Sequence, residues 1–243
     1  MGARTDRLRD YLAQQASRVR AGDELLAAHA DGAVHDTRVA VRRVRSALRT
    51  FSRLAPGPRR QQVDDGLRAW GRLLGGVRDL EVLRALLDEV AEPALRQALA
   101  ADLDRRTGEA WAAVHAALLS EEHRTLLDEL DTLVLTPPRR RVHPRRRARR
   151  AAEKAAERLA AADDEDTLHR ARKAAKRARY AAEAVGLDGS GHEAVQDALG
   201  DHRDAVSAAA FLRDCGLPAA ATARARAALE ERAEAALRAV DRP

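Results

Sequence analysis

Helical periodicity runs through almost the whole chain and breaks only where prolines and glycines cluster. Apolar residues return every three to four positions, the spacing that lines one face of a helix. Residue types agree with this pattern. Ala, Leu, Arg and Glu dominate and lose little rotamer freedom in a helix, whereas the strand-favouring aromatics make up only 2% of the 243 residues. An all-α fold follows. Hydrophobic residues at 45% supply a real core and exclude a disordered polyelectrolyte.

The breaks divide the chain. Helices are expected over 4–29, 34–53, 59–75, 78–91, 93–120 and 122–134, with APGPRR (55–60) stopping the second. In TPPRRRVHP (136–144), Pro137, Pro138 and Pro144 remove backbone donors and clash with the preceding turn, so this segment is the best boundary. Beyond it, helices are expected over 145–162, 167–185, 192–213 and 218–240. Asp163, Asp164, Asp166 and Thr167 are candidate N-caps, and GLDGSGH (186–192) separates the next pair.

Two motifs recur in the same order on either side of that boundary. VHDTRVAVRRVRSAL (34–48) aligns with LHRARKAAKRARYAA (168–182), setting His35, Arg38, Arg42 and Arg45 on His169, Arg172, Lys176 and Arg179. Downstream, LGGVRDLEV (74–82) aligns with LGDHRDAVS (199–207), setting Arg78 and Asp79 on Arg203 and Asp204. An internal duplication of helical bundles is the expected organisation.

Charge is segregated rather than mixed. Residues 34–50 carry five arginines against one aspartate, 139–150 eight arginines and no acid, and 167–180 six basic residues and no acid. The whole chain carries only +6, so the remainder is net acidic. Solubility alone calls for interspersed signs, so this segregation points to a polyanionic partner.

At about 100° per residue, His35, Arg38, Arg42, Arg45 and Arg49 form one stripe about 80° wide and about 21 Å long. Ala40, Val41, Val44, Ala47, Leu48 and Phe51 form the opposite, core-facing side. In the second copy, His169, Arg172, Lys176 and Arg179 form the stripe, with Lys173 and Tyr180 at its edge. Ala171, Ala174, Ala175, Ala178, Ala182 and Val185 face the core. Like charges at these spacings cost roughly 0.2–0.5 kcal/mol per pair. They also lie within the Debye length of about 8 Å, where screening is incomplete. No acid within the first stripe offsets the cost, but a linear polyanion would reverse its sign and release condensed counterions. Guanidinium forks suit phosphate oxygens because each can donate two parallel hydrogen bonds.

Alternatives stand beside this reading. A charge run on one helix is usually a solvated face, and acids on other helices could pair with these arginines. His35 and His169 either cap or pack near their helix starts or donate to a phosphate. Arg78 and Arg203 either pair internally with acids such as the adjacent Asp79 and Asp204 or contact ligand. The arginines of 139–150 form a flexible arm or begin the helix beside 167–185.

At these residues the chain resembles the CHAD family, the conserved histidine α-helical domain. The resemblance rests on HDTRVAVRRVRSALRTF (35–51), HRARKAAKRARYAAE (169–183) and the two LGxxRD segments, and it covers almost the whole chain. It implies one domain over 1–243 built from two pseudo-symmetric antiparallel bundles, 1–135 and 144–243, with a basic surface or channel between them. It also implies binding of inorganic polyphosphate and association with polyphosphate granules. The basic positions it points to are His35, Arg38, Arg42, Arg43, Arg45 and Arg49, and His169, Arg172, Lys173, Lys176, Arg177 and Arg179. Arg78 and Arg203 of the LGxxRD segments join them. Glu183 occupies the place equivalent to Arg49, so the second stripe ends sooner. CHAD domains often accompany a triphosphate-tunnel catalytic domain, but no ExExK signature is found, and a stand-alone CHAD protein is expected.

Other chemistries lack their residues. There is no P-loop, no HExxH and only one cysteine, Cys215, which rules out an intrachain disulfide or a zinc ribbon. A non-enzymatic protein without cofactor or metal is expected, with the DDED run (163–166) read as a capped, solvated loop. The N-terminus lacks a signal-peptide apolar run and no stretch reaches the roughly 18 apolar residues of a membrane span, so a cytoplasmic protein is expected. Nucleic acid bound through backbone charge is the second-choice partner. A polyphosphate-processing enzyme is the third reading, and it would need metal-binding carboxylates beside the stripes, where none is expected.

Overall fold

The computed structural model describes residues 3–54, 57–136 and 143–240. Among these residues the chain forms nine α-helices and no strand: α1 (Ala3–Ala27), α2 (Ala33–Thr50), α3 (Gly57–Val90), α4 (Pro93–Leu118), α5 (Glu121–Leu135), α6 (Pro144–Ala160), α7 (Glu165–Val185), α8 (Ser190–Asp214) and α9 (Ala219–Arg238). Local chemistry sets several ends. Ser120 accepts the backbone N–H of His123 at the start of α5. Asp164 and Thr167 form a reciprocal capping box on α7, so of the four candidate caps Asp164 holds the N-cap itself. Gly186, at φ 65°, closes the same helix in the left-handed conformation. Pro93 and Pro144 open α4 and α6, where a missing N–H costs nothing.

One expectation fails here. The segments 59–75 and 78–91 are a single 34-residue helix, α3, which runs straight through Gly75 and Gly76. Two glycines weaken a helix by about 1 kcal/mol each relative to alanine, which packing on both sides offsets. Arg145–Arg147, Arg149 and Arg150 belong to α6, so that part of the arginine run is helix rather than arm. Arg139–Arg141, like Pro137 and Pro138, lie outside the described residues.

The core faces expected for α2 and α7 are buried throughout, from Ala40 to Phe51 and from Ala171 to Val185. The principal core joins Val41, Val44 and Leu48 of α2 to Leu12 and Val19 of α1, Leu67 and Trp70 of α3, and Ala181 and Val185 of α7. A second core gathers Leu86 and Leu87 of α3, Leu99 of α4, Leu212 of α8 and Leu229 of α9. Both cores cross the 136–144 boundary and hold the two halves together. Between α6 and α7 the seam is made of Ala155, Ala174 and Ala178, which lets the helix backbones approach closely. Helix α2 packs on α7, and α3 on α8, so the two HxxR helices and the two LGxxRD helices meet across one interface.

Candidate anion-binding site

At that interface lies an open cavity of about 680 Å³. Helix α2 supplies His35, Arg38 and Arg42 to its wall, and α7 supplies His169, Arg172 and Lys176. Arg78 of α3 and Arg203 of α8 complete the basic lining. The two stripes therefore converge on one space, and eight of the fourteen basic positions singled out in the sequence face it.

The remaining six do not. Helix α2 runs antiparallel to α3, so its N-terminal half meets Gly71 and Gly75 while its C-terminal half meets Asp64. Asp64 accepts from Arg45 Nε at 3.0 Å and from Arg49 Nη2 at 2.8 Å. Burial opposes ionisation of this carboxyl, but the two guanidinium groups outweigh it and hold it below the usual range. Arg43 Nε donates to Glu183 at 2.9 Å, and Arg179 pairs with both Glu183 and Glu193. Lys173 and Arg177 do not line the cavity. For Arg43, Arg45, Arg49 and Arg179 the structure realises the alternative in which acids outside the stripe pair with the arginines. Their partners come from other helices or from beyond the stripe, where a single-helix reading does not look.

Inside the cavity the balance differs. Arg38 Nη1 donates to the Gly71 carbonyl at 3.2 Å, and its Nη2 lies 4.0 Å from Asp79. The Nε atoms of Arg38, Arg42 and Arg172 are buried without a hydrogen-bond partner in the protein. Lys176 is driven down to about 7, first by burial and then by the charges of Arg172 and Arg42. His35 is held below its usual value by burial and by Arg78 and Arg42; His169 by burial and by Lys173 and Arg203. Arg203 Nη1 donates to His169 Nδ1 at 3.3 Å. A guanidinium can only donate, so the neutral ring carries its proton on Nε2 and keeps a donor there. Neither histidine caps its helix.

Arg78 pairs with Glu81 at 2.9 Å, not with the adjacent Asp79, and Arg203 meets His169 rather than Asp204. The acids of LGxxRD instead face the basic helices. Asp79, Asp197, Asp201 and Asp204 line the cavity opposite the stripes, which corrects the expectation that carboxylates are absent there. Burial pushes Asp204 above the usual carboxylate range against the pull of Arg172. Sequence inspection missed this wall because its signal lies in the pairing of α3 and α8 with the stripes. The first glycine of the motif also acquires a purpose: a Cβ on Gly75 would stand 2.6 Å from Arg38 Nη1, whereas one on Gly200 would make only an ordinary contact with Arg172 Nη2 at 3.8 Å. Among the described residues no cluster of three or more His, Cys, Asp or Glu is arranged to hold a metal ion.

The CHAD domain family model matches residues 10–213. This chain belongs to the CHAD family. Its helices superpose on the CHAD domain of the plant Ricinus communis with a TM-score of 0.75 at 25% identity, covering 98% of this chain and 86% of that one. PptA from Streptomyces chartreusis shares the fold with a TM-score of 0.80 at 22% identity, over 97% of each chain. In sequence, the CHAD chain is 32% identical over 222 residues to the uncharacterized proteins MT2285 and Rv2226 of two Mycobacterium tuberculosis strains. The match takes in 80% of this chain and 42% of theirs, so this CHAD chain spans less than half the length of those relatives. No described helix of the CHAD fold is long and apolar enough to cross a membrane.

Proposed function

We propose that the cavity binds inorganic polyphosphate and that the protein is a binding module, not an enzyme, associating with polyphosphate granules. One observation carries the reading: Arg42, Arg172 and Lys176 converge from two helices, and among the described residues no carboxylate is paired to any of them. Holding these charges together costs the free protein energy that a row of phosphate oxygens would return. Arg38, His35 and His169 add donors around the same space, and guanidinium groups suit phosphate oxygens. Membership of the CHAD family supports the same ligand. The repeated motifs, each placing His and Arg on the cavity from equivalent helices, support an internally duplicated design.

A duplex fits less well. The site is a recess of about 680 Å³, whereas a DNA major groove alone is about 12 Å wide and its phosphates lie on a convex surface. Single strands bind largely by stacking on exposed aromatics, and none lines this cavity.

Replacing Arg42 and Arg172 with Gln should weaken binding of long-chain polyphosphate by about 100-fold, from roughly 1.5 kcal/mol per charge-assisted contact. Helicity should be unchanged, and wild-type binding should weaken steeply with salt. Tighter binding of a DNA duplex than of polyphosphate at equal charge would reject the reading, and metal-dependent phosphate release by the purified protein would reject the non-enzymatic part of it.

A further inference from the structure

The cavity has walls of opposite sign, and a phosphate chain matches only the basic one. Facing the stripes are Asp79 of α3 and Asp197, Asp201 and Asp204 of α8. The three α8 acids sit four and three residues apart, so they share one helix face. Asp79 lies 4.0 Å from Arg38, and the α8 acids make no ion pair among the described residues. Gln196, on the same helix, adds an independent observation. It is only 8% exposed and lines the same cavity. Its Nε2 donates to Asp197 at 3.1 Å, which leaves Oε1 as a buried acceptor with no partner among the described residues. This wall therefore presents acceptors. Ionised polyphosphate also offers only acceptors, so the two cannot hydrogen-bond to each other, and their like charges repel. Water molecules held by a cation donate to both.

We infer that the cavity takes up polyphosphate together with a hydrated divalent cation such as Mg²⁺, held between the phosphate oxygens and the wall of Gln196, Asp201 and Asp204. The inference rests on the polyphosphate reading and adds the counter-ion to it. Mg²⁺ gives up its waters reluctantly and binds through one or two carboxylates plus phosphate oxygens, not through an all-protein cage. The lack of a cluster of three or more metal-ligating side chains among the described residues is what such a shared, water-mediated site requires. Space is sufficient: about six coordinated waters at about 30 Å³ each fill roughly 200 Å³ of the 680 Å³, leaving the rest for phosphates against the arginines. The basic wall then binds the chain directly, and the acidic wall binds it through its counter-ion.

The test titrates the protein with long-chain polyphosphate at constant ionic strength, once in EDTA and once in about 1 mM free Mg²⁺, near cellular levels of the ion. A recess that is only basic loses affinity when Mg²⁺ is added, because the ion competes for the phosphates. Wild type should instead bind about fivefold more tightly, the scale of one like-charge contact removed in water. Asp201→Asn/Asp204→Asn should bind more tightly than wild type in EDTA, because the repulsion is gone, and should gain nothing from Mg²⁺. Wild-type affinity that Mg²⁺ lowers or leaves unchanged overturns this inference alone, as does a double variant that keeps the full gain. Wild type that binds polyphosphate in neither condition overturns the polyphosphate reading and this inference together.

Discussion

Raising the pH should release the polyanion through Lys176. In the free protein this ammonium is held at about 7 by burial among Arg172, Arg42 and Arg38, with Asp204 as its one opposing neighbour. Phosphate oxygens in the cavity would favour the charged form and return it toward the ordinary value of about 10.4. Between those two values the complex holds a proton that the free protein has lost. Binding must then take up one proton, and affinity falls tenfold per pH unit, about 1.4 kcal/mol. From pH 7.5 to 9.5 the loss should approach 100-fold, whereas below pH 7 Lys176 contributes no slope. In that lower range the depressed His35 and His169 take over: a polyanion pulls both upward, so affinity tightens further as pH drops. Starting at pH 7.5 keeps terminal phosphates, with a second ionisation near 6, out of the measurement. Calorimetry in two buffers of different ionisation enthalpy counts the protons directly: about one at pH 8.5 for wild type and none for Lys176→Gln. An affinity flat from pH 7.5 to 9.5, or an equal slope in Lys176→Gln, would refute the argument.

Two further outcomes follow from the packing around the site. Asp64→Ala leaves Arg45 and Arg49 without their shared partner and should cost about 2–3 kcal/mol in chemical denaturation, the lower end of a broken buried pair because Arg49 is partly exposed. Its carboxyl is held below the usual range, so in wild type this contribution is present above about pH 4 and is lost as pH falls below that. Gly75→Ala places a Cβ 2.6 Å from Arg38 Nη1 and should displace that guanidinium from the Gly71 carbonyl. Polyphosphate affinity should drop several-fold while the melting temperature holds or rises, since alanine favours the helix by about 1 kcal/mol. A fall in stability with affinity intact would show that Gly75 serves packing instead.

Much of the architecture was legible before any coordinates. The all-α class, the buried sides of α2 and α7 and most helix ends follow from a period and a few caps, which are local properties. The single long α3 was not, because glycines look like breaks when the neighbours that support them are unseen. His35, Arg38 and Arg42 share one face of one helix and line the cavity, whereas Arg45 and Arg49 of the same stripe meet Asp64, because helical spacing says which residues align but not what stands opposite.

The two rows of cations and the helices that carry them are readable from the residue order alone, since both depend on interactions a few residues apart. Which of those charges remain uncompensated is set by how the helices pack. Coulomb energy depends on distance in space, and the carboxylates that matter approach from other helices: Asp64 and Asp79 on α3, Glu193 and Asp204 on α8. The antiparallel pairing of α2 with α3 neutralises one end of the first row and opens the other onto the cavity it shares with α7.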